Sequence, residues 1–449
     1  MKVPNALTPA TGHRERSGTV ANLRAGEPAR SNPRPLGALE KLMWLADQNR
    51  PMHFAIAAEV GGSTRVEQWQ DALDRVCQQS ELIWSRIVPG ERGVPVFLSV
   101  PHGSIPLHVA ENAMSEWTAH VAGQLGQPFD ASRAPLLRAT LLHGVDRSVI
   151  ILCVHHSIAD GLALSFLMRD VLRAFAGEAV RLSTESASIE QLIAARRISA
   201  MPEAEATRAA RPPMPYRLLD GSPPRLEAAR LTREVTRSLR ERARIERSTV
   251  HGALCAALTA AASTLVPNWS DLPLRVFSPI DIRRRMLNGS EHFGACVTAV
   301  ILEDESTAHD FWSRARSFSD RLEPAKSVEA ISARVGMMYD LVSSISTVQQ
   351  AGEFFSAEIL LTNLGPVEFK DTYGPLTLHA LWGPAVHTGF AMGQTVGAVT
   401  VGDQLHLLHT SYWPAGGLLG ATSSILNAAL RAASAASRNC IRGNGDAQE

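Results

Sequence analysis

The stretch His155–Gly161, read HHSIADG, holds the side chains of this chain whose types and spacing suit chemistry. An imidazole titrates near pH 6.5 and is the natural group for removing a proton at neutral pH. An acyl group carried as a thioester is already activated. Its transfer to a hydroxyl or amine needs a base for the nucleophile's proton, and no serine or cysteine nucleophile. One histidine of the two suffices, because adjacent rings on an extended backbone point to opposite sides. One can reach a channel while the other packs. Asp160 either bends back to brace the loop or pairs with an arginine elsewhere in the chain. Gly161 permits the backbone geometry of a tight turn. Two other readings stand beside this one. The loop could be a surface feature whose histidines do nothing, or His155, His156 and Asp160 could bind a metal. The metal reading requires adjacent histidines on an extended strand to face one ion.

The elements around the loop favour chemistry. Ser148–His155 (SVIILCVH) is apolar at nearly every position, as expected of a central strand covered on both faces. Leu136–His143 is a strand before it, across a turn at Gly144–Arg147, and a helix follows from about Leu162 to Phe175, stopping at Gly177. His156 therefore sits where a buried strand becomes a loop before a helix. Upstream, residues 36–48 have helical apolar spacing and His53–Val60 reads as a buried strand. Thr64 is expected to cap a helix carrying Val66, Trp69, Leu73, Val76 and Cys77 on one stripe. In the second half, a helix capped by Ser248 or Thr249 runs to Pro267, and strands follow near Leu274–Ser278 and Ala295–Leu302. An amphipathic helix is expected from Ser306, then strands at Ala357–Thr362 and Leu376–Leu381. A hairpin joins Gln394–Val401 to Gln404–Tyr412 through Gly402-Asp403, and residues 417–432 form a last helix. Helices and strands mix in both halves, so the class is α/β or α+β, with no internal sequence repeat.

At 449 residues the chain exceeds the size of a single core and predicts two lobes. The expected division is a flexible tail at 1–34, a first lobe at 35–199, a crossover rich in Pro, Ala and Arg at 200–226, a second lobe at 227–435 and a flexible tail at 436–449. The formal net charge is zero, which supplies no field for nucleic acid or an anionic membrane. No apolar run approaches the ~20 residues of a membrane span, and no apolar segment follows the arginines of the first 34 residues as in a signal peptide. The five cysteines form no CxxC and read as buried free thiols in a reducing cytosol, so a cytoplasmic protein is expected. GxSxG, HExxH, P-loop and GxGxxG patterns are absent, which argues against a hydrolase elbow, a zinc enzyme and a nucleotide cofactor. His251, on an apolar helix, reads as a core residue.

HHSIADG, with APLLRATLLHG at 134–144 before it, resembles the HHxxxDG signature of the condensation-domain superfamily. That superfamily includes nonribosomal peptide condensation domains, wax ester synthases, plant acyltransferases of the BAHD type and polyketide-associated acyltransferases of the phthiocerol dimycocerosyl transferase type, the last being nearest. The resemblance covers roughly residues 35–435. It implies a chloramphenicol-acetyltransferase-like fold, with two lobes forming a V around an active-site tunnel. His156 is then the general base, His155 supports it, and Asp160 is structural. SPIDIRR at 278–284 is similar to a second-lobe segment of the family and nominates Arg283 as the partner of Asp160. A solvated charge in an arginine run is the other reading of Arg283. TNLGP at 362–366 resembles the segment lining the tunnel opposite the base. Asn363 would donate a hydrogen bond to substrate or oxyanion, with Thr362 and Gly161 beside it; a plain turn asparagine is the alternative. NRPMHFAIAAEVGG at 49–62 resembles the start of wax ester synthases, which favours lipophilic alcohols and leaves His53 as a strand residue. The plant-type DFGWG motif is absent, and Trp382-Gly383 is only an echo of it.

The expected function is a stand-alone acyltransferase. It would move an acyl group from acyl-CoA or an acyl carrier protein to a hydroxyl of a secondary metabolite or lipid alcohol, without an acyl-enzyme. No cofactor beyond the thioester co-substrate and no metal is expected, and the protein is expected to be a monomer. An amide-forming condensation enzyme and a non-catalytic, carrier-binding pair of lobes are the alternatives.

Overall fold

The computed structural model describes residues 33–111, 114–180, 187–194, 214–217, 220–304, 310–344 and 355–443. Most of the expected N-terminal tail and crossover therefore lie outside the described residues. The first half holds β1 (Arg34–Pro35), α1 (Ala38–Asp47), β2 (His53–Gly61), α2 (Val66–Cys77), β3 (Ser85–Pro89), β4 (Pro95–Ser99), β5 (Leu107–Glu111), α3 (Trp117–Gly126), β6 (Leu137–His143), β7 (Arg147–His155), α4 (Gly161–Phe175) and α5 (Ile189–Ala194). The second holds β8 (Arg225–Arg230), α6 (Arg233–Ile245), α7 (Val250–Leu265), β9 (Arg275–Asp281), α8 (Arg283–Met286), β10 (Val297–Glu303), α9 (Phe311–Leu322), α10 (Val328–Ser344), β11 (Ile359–Pro366), β12 (Thr372–Tyr373), β13 (Leu376–Ala385), β14 (Gln394–Val401), β15 (Gln404–Ser411) and α11 (Leu418–Gly443).

Two six-stranded sheets dominate, in the orders β12-β13-β2-β7-β6-β5 and β10-β9-β11-β14-β15-β8. A small sheet, β1-β4-β3, flanks the first. The apolar run of β7 explains its central place. Ile150, Leu152 and Val154 pack into one core with Leu73 of α2 and Leu164 of α4, while Val149, Ile151 and Cys153 pack into another with Val121, Leu125 and Trp382. Burying each such aliphatic side chain contributes about 1.5–3 kcal/mol, and both faces of this strand gain it. Its two edges are closed by antiparallel pairing with β2 and β6. The end of β7, and so the HHSIADG loop, is held from three directions.

β12 and β13 lie late in the sequence, within the expected second lobe of 227–435, yet they hydrogen-bond into the first sheet. β13 pairs antiparallel with β2, matching Thr377 to Gly61 and Trp382 to Ala57. Bulges interrupt the register before Ala380 and before Ala385. β14 then returns to the second sheet, and the two layers meet closely there. A Cβ on Gly397 would lie 2.2 Å from the carbonyl oxygen of Pro384, so only glycine fits. This crossing brings Pro384, Val386, His387 and Thr388 to the space between the sheets.

Local corrections follow the capping geometry. Thr64 does not cap α2; Arg65 occupies that position, and the Thr64 hydroxyl accepts from Trp69 Nε1 at 3.2 Å. Thr249, not Ser248, caps α7, accepting from the Gly252 amide at 3.0 Å. Ser306 lies outside the described residues, and the observed helix is α9, capped by Asp310. α11 continues to Gly443, past the expected boundary at 436. No single helix among the described residues is long and apolar enough to cross a membrane.

Candidate active site

The backbone fixes the loop before its side chains act. His155 N donates to Leu136 O at 3.0 Å and His156 N to Met52 O at 2.9 Å, so the loop is tied to both neighbours of β7. The two rings then diverge. His155 is fully buried; its Nδ1 accepts from the Ser157 amide at 3.2 Å, and its Nε2 lies 3.4 Å from Asp47 Oδ2. It does not line the cleft described below, so the adjacent pair does not converge on one ion. Among the described residues no three His, Cys, Asp or Glu side chains group as metal ligands.

His156 faces the cleft with its tautomer set by geometry. Nδ1 lies 2.9 Å from the carbonyl oxygen of Ala159. A carbonyl only accepts, so Nδ1 carries the proton and Nε2 keeps the free lone pair. Phe54 packs on the ring at 4.6 Å between centroids. Burial holds the pKa below the ordinary 6.5, against the opposing pull of Asp160. The ring is therefore neutral at pH 7.

Asp160 caps α4. Its Oδ1 accepts from the Ala163 amide at 2.9 Å, and its Oδ2 accepts from Arg283 Nη1 at 2.8 Å and from the Cys296 amide at 2.7 Å. Arg283 spends every nitrogen. Nη1 also donates to Asp281 Oδ1 at 2.8 Å, Nε to His292 O at 3.0 Å and Nη2 to Gly294 O at 2.9 Å. Both groups are buried, Asp160 5% and Arg283 2% exposed. Burial opposes the guanidinium charge, but Asp160, Cys296 and Asp281 outweigh it and raise the Arg283 pKa above its ordinary value. Arg284 and Arg285 in the same run are exposed. The loop of the first sheet and the β9–β10 segment of the second are joined through this corner.

Gly161 departs from the tight-turn expectation. It is the first residue of α4, and its φ is not positive. A Cβ there would lie 2.7 Å from Pro384 Cγ and 2.9 Å from Leu364 Cδ2. Glycine is needed because the second-half segments press on the helix start.

A cleft of about 1100 Å³, counting its mouth, opens between these parts. His156, Asp160, Gly161, Thr362 and Asn363 line it, as do Met43, Met52, Met338, Phe277 and Phe355. Asn363 sits near the end of β11, where its Oδ1 accepts from the Gly365 amide at 2.9 Å. It is thus a turn asparagine by its oxygen, with the amide NH₂ as its remaining donor. His387 also lines the cleft, 6% exposed, with neither ring nitrogen hydrogen-bonded among the described residues. It lies between β13 and β14, outside any periodic element, so no pattern in the sequence marks it. His53 starts β2 and hydrogen-bonds Gln124 O at 2.9 Å away from the cleft lining. His251 contacts Ser278 Oγ at 3.0 Å from α7.

The fold is that of condensation domains, a mixed helix-and-sheet, chloramphenicol-acetyltransferase-like arrangement of two related halves. The likeness to the condensation-domain superfamily extends to the sequence. The family model described as phthiocerol/phthiodiolone dimycocerosyl transferase C-terminus matches residues 220–289, which include Arg283. Polyketide synthase associated protein 5 from Mycobacterium tuberculosis superposes with a TM-score of 0.64 at 15% identity, covering 88% of this chain and 96% of that one. The first condensation domain of the CDA synthetase superposes at 0.65 with 16% identity, covering 85% and 91%. Tyrocidine synthase 3 of Brevibacillus parabrevis is 30% identical over 156 residues, 32% of this chain and 2% of that protein. Malpibaldin synthetase of Mortierella alpina is 24% identical over 159 residues, 32% of this chain and 3% of that protein. The chain thus spans only 2% and 3% of those two curated relatives.

Proposed function

We propose that this chain is an acyltransferase that moves an acyl group from a thioester to a hydroxyl, with His156 as general base. The observation that carries this reading is the Nδ1 contact to Ala159 O, which leaves a neutral, basic Nε2 on a cleft residue. The acceptor hydroxyl gives its proton to Nε2 while its oxygen attacks the thioester carbon. The tetrahedral intermediate collapses, the C–S bond breaks, and the departing thiolate recovers the proton from His156. Ester and thiol are the products, and no acyl-enzyme forms. The Asn363 NH₂ is the candidate donor to the oxyanion. Asp160 and Arg283 hold the loop and move no proton. The donor is acyl-CoA or an acyl-carrier protein, and the apolar wall of Met43, Met52, Met338, Phe277 and Phe355 suits a lipophilic acyl chain or alcohol. The reaction uses no further cofactor, in a cytoplasmic monomer. Amide formation is the second reading, since the same base serves an amine. The relatives named as peptide synthases, such as tyrocidine synthase 3, favour it.

His156→Ala should lower transfer by about 10²–10⁴-fold while the melting temperature holds. A variant that turns over normally would falsify the base assignment. In the wild type the base must be neutral, and burial lowers its pKa, so the acid limb of kcat/KM should fall below pH 6.5. Competing an alcohol against an amine for one thioester donor separates ester from amide formation.

A further inference from the structure

Along β9, Phe277, Pro279 and Asp281 alternate onto the face that lines the cleft. β10 sets Ala299 against Pro279 and Val297 against Asp281 in the same lining. Phe355 packs on Phe277 with ring centroids 5.8 Å apart, so one end of this strip is apolar. The other end is a carboxylate. Asp281 lies four residues beyond Phe277, a run of about 13 Å at ~3.3 Å per residue. It also lies close to the base loop, because Arg283 Nη1 joins its carboxylate to that of Asp160.

Asp281 is only half used by that corner. Its Oδ1 accepts from Arg283 Nη1 at 2.8 Å, and its Oδ2 has no hydrogen-bond partner among the described residues. That oxygen is not sealed. The side chain is 29% exposed, where those of Asp160 and Arg283 are 7% and 3% exposed. The charges of the cleft lining do not cancel either. Among the described residues that line it, Asp160 and Asp281 are carboxylates, Arg283 is the one cation, and His156 and His387 have lowered pKa values and are neutral at pH 7. Arg284 and Arg285 line no part of the cleft, and Arg285 lies 3.7 Å from Glu323. Burial raises the Asp281 pKa and Asp160 adds to the rise, against the pull of Arg283. The carboxylate is thus short of compensating charge. A substrate that fills the cleft displaces the water serving Oδ2. A neutral hydroxyl there would return a hydrogen bond and leave the charge unbalanced, whereas an ammonium returns both.

We propose that Asp281 selects an acceptor bearing a protonated amine, and that the acceptor is a long-chain amino alcohol. Its ammonium meets Asp281 Oδ2, its hydroxyl faces His156, and its apolar tail runs along β9 to Phe277 and Phe355. This rests on the reading of the chain as an acyltransferase acting on a hydroxyl, and it names the class of acceptor. Asp281 moves no proton. It determines specificity by binding a part of the acceptor that does not react, so its charge should govern acceptor affinity.

The test measures binding and transfer separately, on the whole chain. One probe is 1-(dimethylamino)dodecan-2-ol, whose tertiary amine is protonated at pH 7 and forms no amide. The other is its neutral isostere, with CH in place of that nitrogen. In calorimetry without any donor, the wild type should bind the amine about tenfold more tightly than the isostere. Asp281→Asn keeps an oxygen for Arg283 but no charge, and should bring the two affinities within about twofold of each other. With octanoyl-CoA as donor, the same preference should appear in acceptor KM and not in donor KM. A merely structural role would weaken both probes alike. The proposal is overturned if the wild type binds the two probes equally, or if Asp281→Asn folds, by thermal melt, and keeps the preference. It is also overturned if the variant weakens both probes by the same factor. Should Asp281→Asn fail to fold, a crystal structure of the wild type with the amine decides. The amine nitrogen within about 3.2 Å of an Asp281 oxygen supports the proposal, and any other position overturns it. Failure of the acyltransferase reading looks different: the amine preference would depend on Asp281, yet neither probe would be acylated.

Discussion

Two buried arginines, Arg283 in the cleft lining and Arg50 close to His387 of that lining, are kept in opposite ways. Arg283 is saturated by two carboxylates and two carbonyls. Arg50, 4% exposed, meets no carboxylate among the described residues; its guanidinium lies over the Tyr216 ring at 3.4 Å, with Phe390 at 5.7 Å. Burial lowers the Arg50 pKa, whereas the carboxylates around Arg283 raise that of their partner. The first arrangement locks geometry, because every donor has a fixed target. It lies beside the His156 loop, which Asp160 ties to Arg283 and the Cys296 amide. The second tolerates displacement, because a ring face has no preferred point of contact. It lies beside His387 of the cleft lining.

Removing the saturated arginine should cost most. Arg283→Leu leaves Asp160 buried without its cation and should destabilise the protein by about 3–5 kcal/mol, read in denaturant melts. The double variant Asp160→Asn with Arg283→Leu should cost clearly less than the two single changes added, because the buried Asp160 charge is no longer stranded and only the more exposed Asp281 loses its cation. Additive costs would mean that the pair is not coupled. The next effect concerns three buried histidines. His387, His406 and His409 are buried, and burial lowers each pKa to about 4. Between pH 6.5 and about 4 the unfolded chain binds protons that the native state refuses, so stability falls as pH falls. Each ring contributes a slope of about 1.4 kcal/mol per pH unit in that window. A flat stability curve from pH 6.5 to 5 would contradict it.

The locked corner was partly legible and the open one was not. The uninterrupted apolar run of β7 identifies a central strand, and the switch to helical spacing after Gly161 places His156 between them. Local periodicity carries that much. The choice of Arg283 within Arg283–Arg285 came from resemblance alone, since three consecutive arginines look alike until a helix start turns one inward. The pairing of β13 with β2 was hidden because it joins residues over 300 positions apart, and no local pattern encodes a long-range partner. Bulges in β13 further blur its alternation. α6 escaped because its sequence, REVTRSLRERARI, buries only Thr236, Leu239 and Ala243. His387 lies in the connection after β13, which has no period, and its low pKa comes first from burial and then from Arg50, far away in sequence.

Gly161→Ala tests the contact between the two corners. The added methyl would meet Pro384 and Leu364 inside 3 Å, in a wall that also carries His387's neighbours. A cost of about 1–3 kcal/mol is expected, typical of overpacking, with a loss of transfer larger than the melt alone explains. An unchanged melting temperature would show that β13 can yield at this point.

The smallest effect should come from Arg50→Leu. No carboxylate is stranded by the change, and leucine can still pack under the Tyr216 ring. The loss is that of a desolvated cation–π contact, about 2 kcal/mol or less. The variant has a second, more specific consequence. Arg50 is one of the charges that depress the His387 pKa, after burial itself, so removing it should move that pKa upward from about 4. Ring-proton chemical shifts followed against pH measure this directly. If Arg50→Leu instead destabilises as much as Arg283→Leu, or leaves the His387 titration in place, the two arginines do not differ in kind. The division between a locked and a receptive side of the cleft would then fail.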